Sequence, residues 1–154
     1  MPKVSEELQI PATLAETWRL YFDPASWSRW VDEFRALDSI SDDYPEAGAR
    51  LVWHSGPAGR GQVSETVLEH EPRRLHRIRF ADPSSEGELT TTFRIEGDGT
   101  RVGLELDYSL VSGGLFSRVT DIFFIRSQMA QMLIRSLEGL RTEAGDLANT
   151  PAPE

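Results

Sequence analysis

The sequence predicts an α+β fold: an antiparallel meander of about six to seven strands, followed by one long C-terminal helix, with two short helices after the first strand. Three observations support it. Apolar and polar residues alternate with the period of a strand in successive segments, turn-forming residues separate those segments, and the period becomes helical near the C-terminus. A chain of 154 residues is the size of one domain with one core.

The first strand and the short helices have clear local signals. Lys3 to Ile10 alternates between apolar and polar residues, and Pro11 ends the segment. Thr13 can cap a helix over about Leu14 to Phe22, with a glutamate three residues on to complete a capping box. A second short helix, carrying two of the four tryptophans, should start near Asp23.

Further segments with the period of strands follow these helices. They are 33–41, 49–55, 62–71, 75–80, 88–95 and 100–110, and they are divided by runs rich in Gly, Pro and Asp. Consecutive strands joined by short turns pair antiparallel, so these segments predict a meander.

The last periodic segment predicts a long helix from just after Gly114 to about Glu143. Its apolar arc covers roughly 200°, more than a helix in a shallow groove needs. The excess can line a cavity, pack on the short helices or form a homodimer contact. We expect one domain over 1–144 and a disordered tail over 145–154, where Pro and acidic residues accumulate.

Arg126 lies in the middle of the main apolar face of this helix, between Ile122 and Met129. Desolvating an unpaired guanidinium costs several kcal/mol, so a buried residue there needs compensation. A facing carboxylate such as Glu65, a water-filled cavity or an anionic ligand would supply it, and a long arginine can also bend into solvent. The pattern predicts a hollow core, with Arg126 as anchor for an acidic group.

Composition excludes several classes of function. The chain has no cysteine, and the spacing of His54, His70 and His76 fits no familiar ligand pattern, so we expect no metal and no other cofactor. A net charge of −9 argues against nucleic acid and anionic membrane surfaces as partners. No apolar run approaches the roughly 20 residues that cross a bilayer, and no secretory signal is visible, so we expect no membrane insertion and a cytoplasmic location.

Four segments carry a resemblance to a known family: IPATLAETW at 10–18, DPASWSRWV at 23–31, GARL at 48–51 and EHEPRRL at 69–75. With the order of elements, they resemble the polyketide cyclase/dehydrase-like branch of the START/Bet v 1-like (SRPBCC) superfamily. The resemblance implies a helix-grip fold, in which a curved antiparallel sheet is wrapped around the terminal helix and encloses a cavity. The superfamily includes lipid carriers, hormone receptors and aromatase/cyclases, so membership implies no single reaction.

The strand patterns suggest which side chains face that cavity. Thr91 and Tyr108 should be polar groups within an apolar lining, although Tyr108 can equally be a core residue. His76 alternates in phase with apolar neighbours, so it should face inward, either as a hydrogen-bonding group or weak base or as a satisfied core residue. We predict these ligand-binding residues: Arg126, Tyr108, Thr91, His76, Phe93, Trp53, Trp30, Ile122 and Met129.

These observations favour a protein that binds a small hydrophobic or aromatic molecule, including one with an acidic group, between the sheet and the C-terminal helix. An alternative is an aromatase/cyclase-like enzyme acting on a polyketide or related carbonyl substrate, in which Arg126, Tyr108 and His76 polarise a carbonyl and move protons. No catalytic residue is assigned. A second alternative is a protein-interaction module with a filled core.

Overall fold

The structure is a computed structural model that describes residues 2–57, 59–111 and 119–148, with side chains from residue 122 onward in the last of these ranges. Within these residues, seven strands form one antiparallel sheet that wraps around a long helix, which confirms the helix-grip fold. The elements are β1 (Lys3–Ile10), α1 (Leu14–Tyr21), a 3₁₀ turn (Pro24–Ser26), α2 (Trp27–Trp30), β2 (Phe34–Ile40), β3 (Arg50–Ser55), β4 (Gln62–Glu71), β5 (Leu75–Ala81), β6 (Ser85–Glu96), β7 (Gly99–Leu110) and α3 (Val119–Ala148).

The strands lie in the order β1-β7-β6-β5-β4-β3-β2, so β1 returns to pair with the last strand of the meander. Register shifts interrupt β2 beside Phe34 and Leu37, and β4 between Val67 and Glu69. Bulges of this kind bend a strand and increase its twist. Both strands lie on the β2 side of the sheet, where the shifts should increase the local bend.

The predicted helix start is confirmed. Thr13 Oγ1 accepts a hydrogen bond from the Glu16 backbone N–H at 3.2 Å, which caps α1. The 3₁₀ turn begins in the same way, because the Asp23 carboxylate accepts from the Ala25 N–H at 3.1 Å. These two caps fix where α1 and the 3₁₀ turn begin after β1.

Helix α3 packs against β1, α1 and α2 through a buried stripe: Leu133, Leu137, Leu140 and Ala144. Two ion pairs fasten α2 and the residues around it to α3, Arg29 with Glu143 at 2.6 Å and Arg135 with Asp32 at 3.0 Å. Gly139 faces α2 so closely that a Cβ atom there would lie 2.8 Å from the Trp30 carbonyl oxygen. The helical glycine is therefore a point of backbone contact between the two helices.

The predicted disordered tail over 145–154 needs correction in its first four residues. The helix continues through Ala148, so residues 145–148 are helical and not part of a tail. The predicted start of the helix just after Gly114 and residues 149–154 lie outside the described residues. Among the described residues, none of the helices is both long and apolar enough to cross a membrane.

Candidate functional site

A cavity of about 110 Å³ lies between the concave face of the sheet and the three helices. Aromatic rings form much of its wall: Tyr21, Trp27, Trp30, Phe34, Tyr44, Trp53 and Phe80. Polar side chains also face this space: Asp32, Arg60, Glu65, His76, Thr91 and Ser136. The cavity is therefore apolar overall, with polar groups placed at separate points on its wall.

Glu65 presents a carboxyl group to the cavity from the middle of β4. Because the strands pair Leu51 with Glu65 and Trp53 with Val63, Trp53 is a diagonal neighbour on the same face, and its Nε1–H donates to Glu65 Oε2 at 2.6 Å. Burial raises the pKa of Glu65, and the Trp53 hydrogen bond and the charge of Arg60 offset this only in part. None of the ion pairs formed within the described parts of the chain includes Glu65.

Arg60 closes one side of the cavity from the connection between β3 and β4. Its Nε donates to Asp82 Oδ2 at 2.8 Å, and its guanidinium carbon lies 5.1 Å from the centre of the Phe80 ring and 5.8 Å from that of Trp53. The Asp82 side chain is completely buried and also accepts hydrogen bonds from the Ser85 N–H at 2.8 Å and its hydroxyl at 2.9 Å. The charge of Arg60 is thus already neutralised by a contact inside the fold.

The same bonds control the charge of Asp82. Burial alone would raise the pKa of its carboxyl group, but the hydrogen bond from the Ser84 backbone and the positive charge of Arg60 outweigh burial and lower it. Asp82 therefore ties the β5–β6 turn to the β3–β4 connection as an ionised group.

Two tyrosine hydroxyls lie near Glu65. The Tyr21 hydroxyl and Thr91 Oγ1 form a hydrogen bond at 2.7 Å, which joins α1 to the centre of the sheet. Burial raises the pKa of Tyr21 and of Tyr44, and the negative charge of Glu65 raises both further. Both phenols are therefore neutral and able to donate hydrogen bonds.

His76 lines the cavity beside these groups, and His70 lies behind it, outside the lining. The Nδ1 atoms of His70 and His76 lie 3.0 Å apart, so one ring donates a hydrogen bond that the other accepts. His76 is 3% exposed and lines the cavity, and burial, together with the charge of His70, lowers its pKa to about 3. His76 is therefore a neutral imidazole at physiological pH.

The structure brings some of the predicted site residues together. Trp30, Trp53, His76 and Thr91 all line this cavity. Phe93 and Tyr108 are buried in the core outside this lining, and the Phe93 ring packs 5.3 Å from the ring centre of Tyr21. Met129 is half-buried against the core and also lies outside the lining.

The prediction that Arg126 is buried among apolar side chains is wrong, because its side chain is exposed. Ile122, predicted to line the site, is 52% exposed, and the next two residues, Phe123 and Phe124, are exposed as well. Among the α3 side chains that the structure describes, from residue 122 onward, the first to pack against the core is that of Ile125. The charge of Arg126 still reaches Tyr108, where it offsets part of the rise in pKa that burial causes.

Sequence reasoning missed Arg60, Tyr21 and Tyr44 and considered Glu65 only as a partner for Arg126. One signal for Glu65 was present: it stands between Val63 and Val67 in the alternation of β4, which puts a carboxylate on the apolar face of a strand. Arg60 lies in a glycine-rich connection, and nothing in its local sequence indicates which way it points.

Comparison with known proteins gives the family context of this cavity. A family model described as polyketide cyclase / dehydrase and lipid transport matches residues 1–145. No curated protein matches the chain.

Solved structures share the fold across nearly the whole chain. An aromatase/cyclase from a Streptomyces species has a TM-score of 0.78 at 13% identity, covering 97% of this chain and 96% of its own. A Thermus thermophilus protein has a TM-score of 0.69 at 26% identity, covering 97% of this chain and 100% of its own. A Thalictrum flavum norcoclaurine synthase mutant, in complex with a transition-state analogue, has a TM-score of 0.68 at 13% identity, covering 96% of each chain.

Proposed function

This chain belongs to the polyketide cyclase/dehydrase and lipid transport family, and from that premise we propose that it binds one small, ring-containing molecule between the sheet and α3. The observation that carries the proposal is the aromatic-lined cavity. Its volume of about 110 Å³ is near that of an engineered apolar cavity of roughly 150 Å³, which takes up benzene in another protein. A single aromatic ring with a short substituent suits this space, and the cavity weighs against a module with a filled core.

The polar groups on the wall would orient the ligand. Glu65, Tyr44 and the Tyr21–Thr91 pair offer hydrogen bonds at separate points of an apolar surface, the usual arrangement in small-molecule sites. The sequence predicted an acidic group on the ligand, and the charges of the cavity do not support one. Arg126 is exposed and Arg60 is already paired with Asp82, so neither offers an uncompensated buried cation.

Filling the cavity should abolish binding. Leu89 lines it from β6 and is half-buried, so Leu89→Trp would place an indole in the space for the ligand ring. We expect the affinity for phenethyl alcohol, measured by isothermal titration calorimetry, to fall by at least about tenfold, or about 1.4 kcal/mol. Ile95→Trp is the matched control, because Ile95 is on the same strand but 71% exposed, and its affinity should equal that of the wild type. Unchanged binding by Leu89→Trp would contradict the proposal.

A second candidate function is proton transfer beside a carbonyl group, as in an aromatase/cyclase-like enzyme. The observation that favours it is the presence of Glu65 together with two neutral tyrosine hydroxyls in one cavity. A hydroxyl of Tyr21 or Tyr44 would donate to the carbonyl oxygen while the Glu65 carboxylate takes a proton from the adjacent carbon. This assignment replaces Arg126 and Tyr108, which do not line the cavity.

Deuterium exchange tests this second candidate. In D₂O, the wild-type protein should accelerate exchange at the carbon between the ring and the carbonyl of phenylacetone, followed by NMR, above the rate in buffer alone. Glu65→Gln should lower the acceleration by at least about tenfold, since one acid–base group contributes roughly 10²–10⁴-fold. Glu138→Gln, an exposed carboxylate on α3, should leave it unchanged. A wild-type rate equal to that of buffer would eliminate the enzymatic candidate for this ketone class.

A further inference from the structure

Resting on the binding function proposed above, we infer that the ligand carries a protonated amine, held between the Glu65 carboxylate and the aromatic rings that surround it. Two of the charged side chains on the cavity wall already have partners. Asp32 is neutralised by a two-pronged contact with Arg135, at 3.0 and 3.1 Å, and Arg60 is neutralised by Asp82. Glu65 is the lining carboxylate that forms no ion pair among the residues described here, so an ionised Glu65 leaves one uncompensated negative charge.

The hydrogen bonds of Glu65 leave room for a ligand. Trp53 donates to Oε2, and Oε1 accepts no hydrogen bond within the described residues. A carboxylate oxygen that faces an apolar cavity can take a charge-assisted bond from an N⁺–H group, which is about twice as strong as a neutral bond. The free oxygen thus provides the anionic half of an amine site.

Aromatic rings supply the other half. Trp53 is stacked on Phe34 with ring centres 5.2 Å apart, and Trp27 lies 5.7 Å from Tyr44 in an edge arrangement. These four rings line the same cavity as Glu65. Ring faces attract cations, and the attraction is stronger when the cation is desolvated. An ammonium group is therefore favoured by both the carboxylate and its surroundings.

A neutral or anionic ligand fits the wall less well. Asp82 already neutralises the charge of Arg60, so an anion would gain less from this guanidinium, and a neutral ligand would leave an ionised Glu65 unpaired. The net charge of −9 also favours the approach of cations over anions. The charged and titratable groups that share the cavity with Glu65 are Arg60 from the β3–β4 connection, Tyr21 from α1, Tyr44 from the β2–β3 connection, His76 from β5 and Asp32 from the segment after α2. Both tyrosines and His76 are neutral, and Asp32 is paired with Arg135.

Three probes of similar shape test the inference: phenethylamine, phenethyl alcohol and hydrocinnamate, which present a cation, a neutral group and an anion on the same ring. By calorimetry at neutral pH we expect the amine to bind at least about tenfold more tightly than the alcohol. Glu65→Gln should remove this preference and leave the alcohol affinity within about threefold of wild type. Asp32→Asn, which alters a lining carboxylate that is already paired, should retain the preference.

Proton release gives a readout that a structural role of Glu65 would not affect. Burial raises the pKa of Glu65, and a bound ammonium group would lower it. At a pH where Glu65 is protonated in the free protein, binding of the amine should therefore release a proton from this carboxyl group. Titrations in buffers of different ionisation enthalpy measure this release, and the alcohol should show none. The preference for the amine should shrink at lower pH, because protons compete for the same carboxylate.

The outcomes separate the inference from the function on which it rests. Equal affinities for amine and alcohol would overturn the inference and leave the binding function intact. Tightest binding of hydrocinnamate would also overturn it, and would assign the polar contact to Arg60. If none of the three probes binds the wild-type protein, the proposed function itself is contradicted for single-ring ligands.

Discussion

Asp82→Ala is expected to lower the free energy of unfolding by about 3 kcal/mol, the scale of losing one partner of a buried ion pair. The substitution removes a fully buried carboxylate, leaves Arg60 without its partner and deprives Ser85 of its hydrogen-bond acceptor. Urea denaturation followed by circular dichroism measures the loss. Asp42→Ala is the control, because Asp42 is exposed, and its change should stay within about 0.5 kcal/mol. A loss for Asp82→Ala no larger than the control would show that the buried pair does not hold the two turns together.

The pH dependence of this loss has a defined sign. The pKa of Asp82 in the fold is below its usual value of 3.8, so the stability that the ionised carboxylate contributes is fully present above that value. It is lost as the pH falls through the lower pKa of the folded state. The stability difference between wild type and Asp82→Ala should therefore be constant at mildly acidic and neutral pH and shrink only in stronger acid. A difference that began to shrink well above 3.8 would contradict the lowered pKa.

Gly87→Ala is expected to lower the free energy of unfolding by about 3 kcal/mol, or to prevent folding. A Cβ atom at this position would overlap the carbonyl oxygen of Asp107 and lie 2.8 Å from the Cα atom of Tyr108, both on the paired strand β7. Backbone in a sheet cannot move aside as a side chain can. Gly145→Ala, in α3 with open space around it, should instead stabilise the protein by up to about 1 kcal/mol. Thermal unfolding of both variants checks the contrast, and equal stabilities would contradict it.

Most of the fold could be predicted because its signals are local. The strands at Lys3–Ile10 and Gln62–Glu71 have the predicted bounds, since alternation and flanking turn residues specify both ends. The strand predicted at 88–95 is longer in the structure, Ser85–Glu96, because pairing with β7 continues into residues whose own pattern is that of a turn. Pairing with the neighbouring strand, and not the intrinsic β propensity of the residues, therefore determines where this strand begins and ends.

The site was less predictable because it depends on contacts between distant elements. His76 and Thr91 face the cavity as their strand alternation indicated, and the register pairs them directly across β5 and β6. The prediction that Arg126 is buried was wrong for a different reason. The helical period identifies the apolar face of a helix, but it does not show how far along the helix other elements cover that face. Tyr21 reaches Thr91 across 70 residues of sequence, a contact that no local pattern contains.

The backbone contact at Gly139 has a consequence for how this cavity can change size. Gly139 does not line the cavity, but Trp30, whose backbone it contacts, does. Any side chain at position 139 must push the Trp30 backbone away from α3, because its first carbon would meet the Trp30 carbonyl oxygen at 2.8 Å. A substitution at position 139 would therefore change the width of the cavity, and with it the range of ligand sizes that fit. Every residue that contacts the ligand would stay the same.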